Sequence, residues 1–342
     1  MKKILLVSPF PPKLGGVSVS SERLYDNLIN DGYDVIKYNI RFNNERFDTP
    51  LLLAIRYFWL PFYIIFHSKV DIIHFHVPGV LRKLYPILFK IFYGSSKIVF
   101  TIHGDVTPLL KHSIVKWILS KADKIICVQN GDSAKLPLFL RARSIDNPAF
   151  ILPARINLDG LPQKVLDFVY RNDSKLIIYY GSVRLDSDFP DLYGIEEMIE
   201  LYNKLVKEQI PMRMLAFINY NESNSKEKYF LDAQLNKISD SNNILCVRNN
   251  KTSIIGLYQY ADIYFRPTKT DGDSLAVREA LALGCTVVAS DKAIRPNGTI
   301  VYSDKEDMFF KVRNRILSKD KRERNIDNSF YRKIVELYES IF

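Results

Sequence analysis

The segment RPTKTDGDSLAVREALALGCTVVASD, residues 266 to 291, concentrates the side chains best suited to holding a phosphorylated ligand. A strand pattern ends at Arg266, a loop runs through Gly272 and Asp273, and a helix pattern starts near Ser274 and stops at Gly284. Such a junction leaves the first backbone N–H groups of the helix, notably those of Ser274 and Leu275, without intrahelical partners. The helix dipole then favours an anion there. Asp271 precedes the helix and Glu279 lies about one and a half turns into it, so the two carboxylates can bracket whatever rests on the helix N-terminus. Carboxylates accept hydrogen bonds from neighbouring hydroxyls, often two at a time, which makes them natural readers of a ribose or a hexose. Phosphate site and hydroxyl readers together fit a nucleotide sugar.

These groups need a scaffold, and the hydropathy pattern supplies one. KILLVS is followed by a Pro/Gly loop, a helical pattern from Val17 to Asn30 closed by Gly32, and the strand-like YDVIKYN. VDIIHFH (70–76), a helical segment around 80–93, SKIVFTIH (96–103), a helix around 111–121 and DKIICV (123–128) continue the alternation. Between Asp159 and Ser174 the pattern lapses into a polar connection. A second series then begins, with strands KLIIYYG, RMLAFI, NILCV, DIYFRP and CTVVAS. Strands this uniformly apolar belong to parallel sheets covered on both faces. The expected fold is therefore α/β, with two Rossmann-like doubly wound domains facing across a cleft, residues 1–160 and 161–324. A last helix over 325–342 carries an apolar stripe at Phe330, Ile334, Leu337 and Ile341 and has no assigned packing partner. Ligands of such domains bind at the carboxyl ends of the strands.

Composition narrows the class. A chain of 342 residues with 47% apolar and 25% charged residues is that of a folded globular protein of two domains, and no apolar run reaches the roughly 18 residues of a spanning helix. Cys127, Cys246 and Cys285 show no paired spacing, so free thiols in a reducing cytoplasm are expected. The net charge of +10 is dispersed and accompanies no nucleic-acid motif, which leaves phosphorylated substrates and anionic lipid as its natural partners. LLLAIRYFWLPFYIIF, residues 51–66, reads as one or two core helices, with a lipid-facing surface as the other reading.

The DGDSLAVREA segment resembles the retaining glycosyltransferases of family 4, which are of the GT-B fold. Their signature is two acidic residues eight positions apart, the first before a glycine-containing turn and the second in a Glu-Ala pair. The resemblance implies that Glu279 binds the nucleotide ribose, that Asp271 binds hydroxyls of the transferred sugar, and that backbone from Gly272 to Leu275 holds sugar and diphosphate. PPKLGGVS matches the family's first loop, where Gly15 and Gly16 would let backbone approach the diphosphate. HFHVPG and TIHGD match its strand-end histidines, with His103 assigned to the donor sugar. YYGSVR matches the loop opening the second domain, where Arg184 would neutralise the leaving diphosphate.

Two positions depart from the pattern. The first acid is Asp271 where the family usually has Glu, and Tyr193-Gly194 stands where a Lys-Gly pair is usual, so Arg184 or Arg266 would have to supply the missing cation. Asp186-Ser187-Asp188 and Asp271-Gly272-Asp273 both read Asp-x-Asp, a metal-binding pattern in the other large glycosyltransferase fold. GT-B sites usually dispense with metal, so none is expected, and no cofactor beyond the donor. The resemblance implies transfer of a glycosyl group to a hydroxyl acceptor with retention, in bacterial surface polysaccharide or glycolipid synthesis. The partners would be a nucleotide-sugar donor, a glycan or lipid-linked acceptor, and an anionic membrane touched peripherally on its inner face. Two rivals share the fold: a sugar-nucleotide epimerase, and a chain that binds nucleotide sugar or a partner enzyme without turnover.

Overall fold

The protein is represented by a computed structural model that describes residues 2–11, 16–40, 55, 58–60, 62–63, 70–78, 95–185, 191–240, 242–250, 252–270, 274–318 and 326–342. Contacts divide it into two compact units, Met1–Ala154 with Asn328–Phe342, and Arg155–Asp327.

The first unit is built on strands β1 (Lys3–Ser8), β2 (Asp34–Asn39), β3 (Ile72–Pro78), β4 (Lys97–His103), β5 (Lys124–Cys127) and β6 (Ser144–Asp146). All pair in parallel in the order β2-β1-β3-β4-β5-β6. Helix α1 (Gly16–Asn30) covers one face, where Leu24 and Leu28 pack on Ile4, Leu6 and Val99. Helix α2 (Ser113–Leu119) covers the other, where Val115, Ile118 and Leu119 pack on Leu5, Phe75 and Phe100. Each fully buried side chain of this kind contributes roughly 1.5–3 kcal/mol of transfer free energy, so uniformly apolar strands demand cover on both faces.

Strands β7 (Lys175–Ser182), β8 (Met212–Asn219), β9 (Ile244–Arg248), β10 (Ile263–Arg266), β11 (Thr286–Ser290) and β12 (Ile300–Tyr302) form the second sheet, again all parallel, in the order β12-β11-β10-β7-β8-β9. Its helices are α3 (Gln163–Tyr170), α4 (Ile195–Lys207), α5 (Ser225–Leu235), α6 (Leu275–Ala282) and α7 (Lys305–Leu317). Met198, Tyr202 and Val312 of α4 and α7 close one face over Ile177, Phe265 and Val288.

Helix α8 (Ser329–Glu339) belongs to the first unit, although the chain reaches it from the second. Tyr331, Ile334, Leu337 and Tyr338 bury against β1, β4 and α1. Of the stripe read from sequence, Ile334 and Leu337 are buried, whereas Phe330 and Ile341 are only partly covered and Tyr331 and Tyr338 take the inward places beside them. Helix α3 lies inside the stretch read as a polar connection. It buries little more than Val165 and Val169, one i,i+4 pair, too short a period to stand out among charged neighbours. The segment expected to be helical around 80–93 lies outside the described residues. Of 51–66, the described residues include buried Leu60 and exposed Phe58 and Trp59. All three cysteines are free, and burial pushes the Cys127 thiol up to about 12.

Candidate functional site

Counted within the second unit, the strands lie in the order 3-2-1-4-5-6, so the order reverses between β7 and β10. A doubly wound sheet opens at its carboxyl edge at that point, because the crossover helices leave in opposite directions. Two segments meet there. The end of β7 carries Gly181, where a Cβ would overlap the Tyr179 hydroxyl, and the exposed Arg184 follows two residues beyond the strand. The chain leaving β10 carries Arg266, Pro267 and Thr268. Gly194, at φ +69°, lies against the second of these segments, and a Cβ on it would stand 2.5 Å from the Pro267 carbonyl oxygen. Only glycine satisfies both the left-handed backbone and the close approach.

This approach sets Tyr193 beside Arg266. The guanidinium lies over the Tyr193 ring, 5.0 Å from its centroid, and donates to the Tyr180 carbonyl at 3.1 Å. Arg266 is only 7% exposed, a position that arginine rarely occupies without specific electrostatic support. Glu279, 8% exposed on α6, acts on the same neighbourhood. Burial raises the Tyr180 hydroxyl above the usual phenol range; Tyr193 and Glu279 add to the shift, while Asn219 and Arg266 oppose it. Tyr258 is likewise raised by burial, and it too feels both the Glu279 carboxylate and the Arg266 guanidinium. A buried cation and a buried anion therefore act on one pair of tyrosines at the reversal of strand order.

The helix N-termini of this unit differ in what fills them. Asp191 accepts from the N–H groups of Ile195 and Glu196 at 2.7 and 2.9 Å, which occupies the start of α4. Asn224 caps α5 and Asp304 caps α7 through side-chain oxygens. At α6 the cap residue Ser274 makes no side-chain bond to the helix, so its hydroxyl leaves the first N–H groups without the usual cap. Beyond the ends of β8 and β9 lies a cavity of about 410 Å³ lined by Asn219, Tyr220, Asn221, Glu222, Asn249 and Asn250. The Asn219 amide donates to the Tyr180 hydroxyl at 3.1 Å, and its buried carbonyl oxygen has no partner among the described residues.

In the first unit, His103 closes β4 and is followed by Gly104 at φ +106°. Its Nε2 lies 3.1 Å from His76 Nδ1 on β3, and the rings stack with centroids 5.4 Å apart. His74 is fully buried between the Tyr338 hydroxyl, at 2.6 Å, and the Thr101 hydroxyl, at 2.8 Å. Burial lowers His103 to about 4 and His74 to about 3, and it holds His76 well below its usual range. These imidazoles are neutral near pH 7, so His103 is suited to hydrogen bonding rather than to carrying charge.

Of the residues singled out from sequence, Arg266 and Glu279 converge on Tyr180 and Tyr258, Arg184 lies at the same sheet edge, and Ser274 and Leu275 begin α6. Gly16 begins α1 in the other unit, with nothing within 4 Å of a Cβ, and His103 lies in that unit as well. Gly15, Asp271, Gly272 and Asp273 lie outside the described residues, as do Asp186 and Asp188. Among the described residues no cluster of three or more His, Cys, Asp or Glu is arranged to hold a metal ion. Sequence reasoning missed Arg295. Its side chain reaches Thr268 Oγ1 at 2.9 Å and the Ser290 carbonyl at 3.0 Å, tying the ends of β10 and β11 together. A lone arginine in a polar loop carries no local signal of such a role.

Residues 169–331 match the family model described as glycosyl transferases group 1. No curated protein matches the chain by sequence. Among solved structures, a glycosyltransferase from Rickettsia africae is 16% identical with a TM-score of 0.59, over 99% of this chain and 98% of that one. A UDP-forming α,α-trehalose-phosphate synthase from Burkholderia xenovorans, in complex with glucose-6-phosphate, is 13% identical with a TM-score of 0.57, over 100% and 97%. Anabaena HepE, in complex with UDP and glucose, is 13% identical with a TM-score of 0.56, over 99% and 100%. At these identities the likeness establishes the two-domain GT-B fold. No helix among the described residues is long and apolar enough to cross a membrane.

Proposed function

We propose that the protein, whose residues 169–331 match the glycosyl transferases group 1 model, moves a sugar from a nucleoside diphosphate sugar to a hydroxyl acceptor with retention at the anomeric carbon. The observation that carries this reading is that buried Arg266 and buried Glu279 both act on Tyr180, at the point where the strand order of the second unit reverses. In this reading Glu279 accepts hydrogen bonds from the ribose hydroxyls. Asp271 binds hydroxyls of the transferred sugar. The backbone from Gly272 to Leu275, at the start of α6, receives the diphosphate, with Asp273 beside it. The Asn-rich cavity beyond β8 and β9 offers amide donors and acceptors to the nucleobase.

Arg184 and Arg266 neutralise charge that grows on the departing diphosphate. Arg266 takes the part of the absent lysine, held in place by the Tyr193 ring that replaces it. Fixed cations and N–H dipoles lower the barrier because they need no reorganisation as the bond breaks. The departing phosphate oxygen takes the proton of the incoming hydroxyl on the same face of the sugar, so neither a protein nucleophile nor a metal is required. In the first unit, which takes the acceptor, His103 hydrogen-bonds the sugar as a neutral imidazole, and Gly15 and Gly16 admit the diphosphate. The reading extends to a glycan or lipid-linked acceptor and to surface polysaccharide or glycolipid synthesis.

The test is incubation with a panel of nucleoside diphosphate sugars and hydroxyl acceptors. Release of nucleoside diphosphate that requires an acceptor, with a product whose anomeric proton coupling matches that of the donor, is the expected result. Inversion overturns retention. Conversion of the donor to another sugar nucleotide without acceptor favours an epimerase.

A further inference from the structure

The helical layer over the second half of the first sheet presents large apolar side chains to solvent in a basic setting. In α2, Val115, Ile118 and Leu119 face the core, which turns Ile114 and Trp117 outward at 59% and 49% exposure. In the short turn Leu138–Arg141, Leu140 faces the same core, while Leu138 and Phe139 stand 81% and 56% exposed. The two elements are neighbours. Arg143 donates to the carbonyls of Ser120 and Ala122, just past the end of α2, and Leu136 and Leu140 share one cluster with Val115 and Leu119. Four large apolar side chains on adjacent elements exceed the scattered single exposures that need no explanation.

The charge around them is predominantly basic. Residues 106–122 contain Lys111, Lys116 and Lys121 and no acid, and residues 133–145 contain Lys135, Arg141 and Arg143 and no acid. The acids that border the patch are already engaged. Asp105 accepts from the Thr107 N–H and hydroxyl, Asp123 accepts from the Ile98 N–H, and Asp132 pairs with Lys135. Lys121 lies over the Trp117 ring, 5.1 Å from its centroid, so the indole and the ammonium occupy one spot. An indole held beside a cation, with further apolar tips around it, suits the boundary between lipid headgroups and acyl chains.

We propose that this face, formed by α2 and the turn at Leu138 and Phe139, docks the protein on an anionic lipid surface. The apolar tips enter the acyl boundary, and the lysines and arginines meet the anionic headgroups. A protein partner is disfavoured as occupant because the charge is carried on long lysine stems spread around the apolar tips, which a diffuse negative surface complements better than discrete carboxylates. The docking stands independently of the transfer reaction; if both hold, it brings a lipid-linked acceptor to the first unit.

The experiment is co-sedimentation of the full chain, without donor, with vesicles of phosphatidylcholine alone or mixed with phosphatidylglycerol. Binding to the mixed vesicles that falls as salt rises is expected. The Leu138→Asp/Phe139→Asp variant should lose at least tenfold in partitioning. Lys116→Glu and Lys121→Glu should each lose roughly fivefold or more, as about 1 kcal/mol per basic residue implies. Ile294→Asp, which changes an even more exposed apolar residue of the second unit, should bind like the wild type. Each variant is checked for folding by circular dichroism and for nucleotide binding by calorimetry, so failure of docking and failure of the donor reading are separate results. Binding no better to the mixed vesicles than to phosphatidylcholine overturns the proposal, as does unchanged binding by the variants. A change in oligomeric mass in Leu138→Asp/Phe139→Asp with vesicle binding intact would overturn it in favour of contact with a second copy.

Discussion

Arg266 and Tyr193 exchange the chemistry expected of their neighbourhood. A lysine is usual where Tyr193 stands, and an arginine on the adjacent strand end fills the same region with its guanidinium over the new ring. If Arg266 supplies the missing cation, Arg266→Leu should lower kcat about 10²-fold, the usual loss on removing one preorganised charge-stabilising group. Tyr193→Lys in that background should recover part of the loss, because the ammonium would enter the vacated space. Steady-state kinetics with circular dichroism as a folding control measures both. An unchanged kcat in Arg266→Leu would remove the role, and failure of the lysine to rescue a folded double variant would make the defect structural. The histidines make a second prediction. In the unfolded chain they titrate near 6.5, whereas the folded chain holds His103 at about 4 and His74 at about 3. Between those limits the unfolded state takes up protons that the folded state refuses. Their contribution is therefore fully present above about pH 6.5 and is lost as pH falls toward 4, by at most about 1.4 kcal/mol per pH unit for each histidine. Urea denaturation of the first unit should show this slope, and a flat profile from pH 7 to 5 would contradict the burial.

At the scale of elements, the turn into α4 fixes the geometry of the site. Gly194→Ala must place a Cβ 2.5 Å from the Pro267 carbonyl at a positive φ, so a loss of roughly 1–3 kcal/mol is expected from thermal or urea unfolding, together with weaker donor binding. Stability within a few tenths of a kcal/mol of wild type would show that the turn and the Pro267 segment are not locked together. Most elements were legible in the sequence because their signals are local. The runs KILLVS, KLIIYYG and TVVAS are apolar on both faces, and Gly284 stops α6 at φ +70°. What escaped is non-local or brief. Strands β6 and β12 are three residues each and sit at sheet edges, where pairing with a neighbour makes them strands. The tie from Arg295 to Thr268 spans helix α6 and strand β11, and the reversal between β7 and β10 is a property of strand order that no local pattern carries. Glu279 could be proposed from its spacing to Asp271, but its burial beside tyrosines that also feel Arg266 emerges only from packing.

Across the whole molecule, two parallel sheets of six strands are each closed by their own helices, and the chain returns to the first unit to finish as α8. Tyr338 of that last helix bonds His74, so the end of the chain is keyed into the layer that carries His103. In the proposed function, donor binding falls to the second unit and its chemistry to fixed charge without a metal. EDTA should therefore leave turnover intact, and a complete loss restored by Mn²⁺ would require the Asp-x-Asp segments to be reread as ligands. The measurement that reaches the centre of the account is titration calorimetry of the wild type and of Glu279→Ala with UDP, GDP, ADP and TDP. One nucleoside diphosphate should bind the wild type selectively, and Glu279→Ala should weaken that binding by roughly 1–3 kcal/mol through loss of charge-assisted hydrogen bonds to the ribose. Equal affinity in a folded Glu279→Ala variant, or no binding of any diphosphate by the wild type, would contradict a donor site built on α6.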